Sequence, residues 1–269
     1  MICADIDCGT TARTASLIWP SWTFSSRTSA PRSVAVRQSV ELVFLSRPRT
    51  VDRGAMIDTS DMLFAHRVFR RELSDAPELI GGVASGDTNR SALIADHLGH
   101  MVAALHHHHA AEDELLWPSL HARIPTSGLQ IQQMEDDHAA IAELVESVET
   151  VRTPWGKSAD STLAAQLIAA TEQLSARVDT HLEDEEQNIL PLIGQHITGD
   201  EWKGVVKRGA EFLPKNKMAL VFLGLTLQNL TPDEQRQFLA GIPMTARIFW
   251  KLLGQRTFNA YRDKLYGSG

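Results

Sequence analysis

Two stretches of the chain share one spacing: HHAAEDELLWP (108–118) and HLEDEEQNILP (181–191). Each reads His-x3-Glu-x5-Pro, first as His108, Glu112 and Pro118, then as His181, Glu185 and Pro191. An acid follows each glutamate (Asp113, Glu186), and a leucine stands one or two places before each proline (Leu190, Leu116). A further histidine precedes each copy, His66 by 42 residues and His138 by 43. Residues four apart on a helix are separated by about 40° around it and about 6 Å along it. The spacing therefore demands helices, each aiming an imidazole and a carboxylate at one place. The matched upstream histidines make the two copies helical hairpins of one design.

The apolar periodicity agrees. It predicts helices from about Ser60 to Val83, with a break near Pro77, and from after the cap candidates Asp87 and Thr88 to about Ala122. Two more are predicted from near Ser127 to just before TPWGKS (153–158), and from Asp160 to about Ile197. Short loops make neighbours antiparallel, and alternating β-branched runs are missing. The expected fold class is all-α: an up-down-up-down four-helix bundle over residues 56–197, with a C-terminal helical extension over 198–269. The extension reads as three shorter helices broken at Thr198, Pro214 and Thr231-Pro232, with Pro243 following. TPDEQRQFLAGI (231–242) opens with a Thr cap, Pro at the first helical position and acids in the first turn. The extension holds no histidine and is expected to pack on the bundle, on a second copy or on a protein partner.

Residues 1–55 differ in kind. Seven Arg against four acids give them a net charge of +3, while 19 basic and 29 acidic residues give the rest −10. They are rich in Ser, Arg and Thr and lack a helical or strand period. They read as a disordered leader, or as sequence upstream of a start at Met56, with a transit peptide as the other reading. The overall net charge of −7 argues against nucleic acid as a partner. The longest apolar run, MALVFLGLTLQNL (218–230), is too short to span a bilayer. Both cysteines, Cys3 and Cys8, lie in the first segment, so residues 56–269 hold no disulfide framework. A cytoplasmic setting is expected.

The motif residues point to metal chemistry. Glu185 falls within the apolar stripe of Leu167, Leu174, Val178, Ile189 and Leu192. An unpaired carboxylate there is costly, and a cation removes the cost. Mixed imidazole and carboxylate donors suit iron, manganese or zinc better than calcium. His97, His100 and His121 read instead as hydrogen-bonded core histidines.

The run HHHH (106–109) poses a choice. His106 and His107 point away from the apolar stripe, whereas His108 and His109 flank its centre. Aligning Glu112 with Glu185 and Pro118 with Pro191 pairs His108 with His181, and His109 with Leu182, which cannot bind metal. His108 is thus the expected ligand, with His109 beside the site or in packing. The minor alternative pairs His109 with Asp113.

His66, His108-x3-Glu112, His138 and His181-x3-Glu185, in this order on four helices, resemble the hemerythrin/HHE cation-binding family over about residues 60–197. The resemblance implies a four-helix bundle around two non-haem irons (Fe2+/Fe3+), oxo- or water-bridged. It implies that Glu112 and Glu185 bridge them, with His66, His108, His138 and His181 as terminal ligands. It also implies chemistry with O2, NO or peroxide; the alternatives are an enzyme that disproportionates peroxide at the same centre, or a metal-stabilised interaction module. The family's oxygen carriers have a fifth histidine one turn before the one matching His138. Here that position is Met134, which leaves an open position or one filled by water or another side chain.

Overall fold

The computed structural model describes residues 56–213, 217–242 and 244–267. The readings of 1–55, Pro214 and Pro243 lie outside these residues. The chain is all-α as expected, with no strand among the described residues. The four long helices are α1 (Ser60–Gly81), α2 (Thr88–Ala111), α4 (Gly128–Ser158) and α5 (Ser161–Asn188). The short α3 (Trp117–Arg123) and α6 (Leu190–His196) prolong α2 and α5 past their prolines. Helix α1 packs on α2 and α5, and α4 packs on the same two. The start of α1 meets the end of α5 where His66 bonds Glu186, so these two run antiparallel. The start of α2 meets the end of α4 at Ala95 and Gly156.

The prolines shape both repeat copies. A proline has no N–H, and its ring clashes with the carbonyl four residues back in a regular helix. Ahead of Pro118 the chain widens into a π-type turn over Glu112–Leu116. Ahead of Pro191 it leaves the helix at Ile189 and restarts at Leu190. One sequence pattern thus yields two local solutions just beyond the glutamates.

Two expected breaks do not occur. Helix α1 continues through Pro77, because Ala76 before it and Leu79 and Ile80 beyond it are buried. Helix α4 continues through Pro154 to Ser158, because Trp155 is fully buried and Ser91 donates its hydroxyl to the Gly156 carbonyl. Burial of a tryptophan outweighs one lost backbone bond.

The extension comprises α7 (Gly199–Gly209), α8 (Lys217–Gln228), α9 (Pro232–Ala240), α10 (Met244–Phe249) and α11 (Gln255–Tyr266). Thr231 caps α9 in a capping box with Glu234. Helix α7 packs on α2, and α8 lies between α1 and α11. The apolar run read from the sequence is α8, buried nearly all round. Among the described residues, no helix is long and apolar enough to cross a membrane. Polar contacts join α11 to the bundle: the Tyr261 hydroxyl is 3.0 Å from His97 Nδ1, and His97 Nε2 is 3.1 Å from the buried Glu72.

Two apolar clusters fill the interior. The larger includes Leu73, Leu98, Val148 and Leu174 and extends into the C-terminal helices. The smaller includes Met62, Trp117, Ile131, Met134 and Ile193. The motif residues occupy the helix levels between them.

The close approach of α2 and α4 can be checked. A Cβ at Gly156 would lie 2.7 Å from Ala95 Cβ. Gly156→Ala should cost about 1–3 kcal/mol by overpacking. In urea unfolding, adding Ala95→Gly should cost less than the two single changes predict by addition, since it removes the colliding atom.

Candidate metal centre

Four helices bring seven donor side chains into one buried layer. His66 (α1), His108 (α2) and Glu185 (α5) form one group, and His109 (α2), His138 (α4) and His181 (α5) a second. Within each group, one donor atom from every residue lies within 4.8 Å of the others. In the first group His66 Nε2 is 3.2 Å from His108 Nε2 and 3.4 Å from Glu185 Oε2. Glu112 joins the groups: its Oε1 is 3.2 Å from His108 Nε2 and its Oε2 is 3.5 Å from His138 Nε2. The side chains of His66, Glu112, His181 and Glu185 are wholly buried, whereas His108 is 14% exposed and forms the solvent side. All six residues expected from the sequence converge here.

The donor atoms do not satisfy one another. Both oxygens of Glu112 and of Glu185, Nε2 of His109 and His138, and both nitrogens of His181 are buried without a hydrogen-bond partner among the described residues. The short distances around Glu112 are not aligned as hydrogen bonds. Buried polar groups are ordinarily paired, and leaving so many unpaired in one layer is very costly. A cation in each group would satisfy them, so the residues present fit metal ions.

The family model for the Hemerythrin HHE cation binding domain matches residues 58–193, about half of the chain. The chain belongs to this family. No curated protein and no solved structure matches it. The match takes in all four long helices of the hemerythrin bundle and every residue of both donor groups.

Behind the donors lies a crossed set of carboxylates. His66 Nδ1 is 2.8 Å from Glu186 Oε1, and His138 Nδ1 is 2.6 Å from Asp113 Oδ1. These acids are the ones that directly follow the repeat glutamates. Each hairpin therefore holds a histidine of the other. Arg70 braces Glu186 at 2.6 Å and Asp179 at 2.7 Å. His181 Nδ1 faces Asp137 at 3.7 Å, and Asp137 is ion-paired with Arg177. An imidazole that donates through Nδ1 presents the lone pair of Nε2.

Charge follows the same plan. Burial, then the neighbouring His66, pushes His108 down to about 3, and burial takes His181 down to about 4. Burial and four neighbouring imidazoles hold His109 far below its usual range. These imidazoles are neutral, as metal donors must be. Burial opposes a charge on His66, but Glu185 and Glu186 more than offset it and raise its pKa. Burial, then Glu185, pushes the Glu112 carboxyl well up. Burial would also raise Glu185, yet His66 beside it holds it low. In the cation-free protein, protons on His66 and Glu112 thus stand in for positive charge.

The sequence reading left His109 outside the donor set, because its counterpart in the repeat is Leu182. The structure brings its ring to 4.1 Å from that of His138 and 5.1 Å from that of His181. The usable signal was the stripe itself: two adjacent histidines flanking its centre face two different neighbours. Asp113, named with His109 in the minor alternative, holds His138 from behind instead. His97 is buried and hydrogen-bonded as expected, while His100 and His121 are partly exposed.

Two outcomes follow. Asp113→Asn and Glu186→Gln should each weaken cation affinity by about 10- to 100-fold in chelator competition. Cation uptake must displace the protons held on His66 and Glu112, so affinity should rise with pH. Calorimetry in buffers of different ionisation enthalpy should register proton release, and its absence would contradict the charge assignment.

Proposed function

We propose that this hemerythrin-family bundle holds two iron ions and uses them to bind, sense or react with O2, NO or peroxide in the cytoplasm. The observation that carries the reading is the pair of donor groups joined by one buried carboxylate, Glu112. His66, His108, His138 and His181 would hold them through imidazole, and Glu112 and Glu185 through carboxylate. Nitrogen with carboxylate oxygen is a donor set that suits iron. Iron held there would supply electron exchange with a small oxidant.

The chain's own residues do the rest. The apolar clusters on either side keep water from the layer. Low dielectric strengthens every charge interaction within it. Glu186 and Asp113 hold the Nδ1 protons of His66 and His138, which fixes the rings. Asp113 is 44% exposed, so the His138–Asp113 bond links the centre to solvent and offers a proton path. A small ligand of a few atoms fits so enclosed a layer, whereas a large substrate does not.

Protein from iron-supplemented cells should carry about two irons per chain. Its visible absorption should change with dithionite, O2, NO or peroxide. Oxygen release from peroxide, where it occurs, should vanish in Glu112→Gln and Glu185→Gln. A folded wild-type protein that takes up no iron would refute the reading.

A further inference from the structure

We propose that His109, His138 and His181 form a three-imidazole cation position that binds a divalent metal, Zn2+ or Fe2+, without help from the first group. His109 thereby becomes a ligand in its own right. The inference rests on reading the layer as a cation centre, and it can fail while that reading stands.

Three helices supply the residues, α2, α4 and α5, and the donor atoms lie within 4.8 Å of one another. All three side chains are buried. His109 Nε2, His138 Nε2 and both His181 nitrogens have no hydrogen-bond partner among the described residues. The His138 ring is held from behind by Asp113, and Asp137 faces His181 at 3.7 Å without a hydrogen bond. The His109 ring is stacked on that of His138 with 13° between their planes, so the two present their edges together.

Packing alone does not account for His109. Leu182, its counterpart in the second copy, is also fully buried and fills its place with no polar atom. A leucine at 109 would do the same. The imidazole instead carries an unpaired nitrogen into a dry layer, a cost that only a bound partner offsets. His109 also brings from α2 the imidazole that Met134 does not bring from α4. Met134 is buried in the smaller apolar cluster.

The two positions differ in chemistry. The first contains the carboxylate of Glu185. The second has three imidazoles, with the Glu112 carboxylate 3.5 Å from His138 Nε2. Three imidazoles with an open position suit borderline divalent metals, as in known three-histidine zinc sites.

The test uses the full chain stripped of metal and titrated anaerobically with Zn2+ or Fe2+, followed by elemental analysis and chelator competition. Wild type should bind two equivalents. His66→Gln disables the first position and should keep one equivalent. His109→Leu should lose one equivalent, or weaken it beyond the roughly 100-fold expected from losing an outer partner. Two equivalents at wild-type affinity in His109→Leu would overturn the inference and leave the cation centre standing. No binding by wild type would overturn both. Should His109→Leu fail to fold, Cu2+-loaded His66→Gln decides the matter. Its electron spin-echo modulation should count three coordinated imidazoles, and two would overturn the inference.

Discussion

The structure depends on a layer of buried donors that cannot satisfy one another. Imidazole nitrogens and carboxylate oxygens converge between two apolar clusters, and eight of their polar atoms lack a hydrogen bond among the described residues. A chain selected only for a stable bundle would fill this layer with leucine. The cost of burying these groups is recovered when cations enter, so folding and metal uptake are linked. The protons on His66 and Glu112 lower that cost in the cation-free protein, and only in part.

The duplicated hairpin explains how so demanding a layer is built. Each copy contributes a helix with a histidine and a helix with His-x3-Glu. The acid after each glutamate crosses to the other copy, Glu186 to His66 and Asp113 to His138. Neither hairpin completes its own site. Among the buried donors, symmetry is broken where His109 stands in one copy and Leu182 in the other. That difference turns two equivalent halves into two unlike donor groups.

Much of this was legible in the sequence, for physical reasons. The i,i+4 spacing and the matched prolines place His108, Glu112, His181 and Glu185 on inward faces, because helix geometry is local and periodic. What escaped was what depends on neighbours. The repeat steered His109 out of the site, because alignment asks what the copies share and not where they differ. The crossing of Asp113 and Glu186 needs the relative rotation of two hairpins, which no single helix encodes. Pro77 and Pro154 signalled breaks, but burial beyond them, of Ile80 and Trp155, held the helices together. The extension proved the reverse case: its cap at Thr231 was readable, while its place against α1 and α2 was not.

We propose that this layer holds two cations in unlike surroundings. Crystals of the iron-loaded protein, measured on either side of the iron absorption edge, test it most directly. Two anomalous peaks are expected, one among His66, His108 and Glu185 and the other among His109, His138 and His181, with Glu112 between them. A folded, iron-treated protein with no peak in this layer, or with its iron elsewhere, would contradict the account.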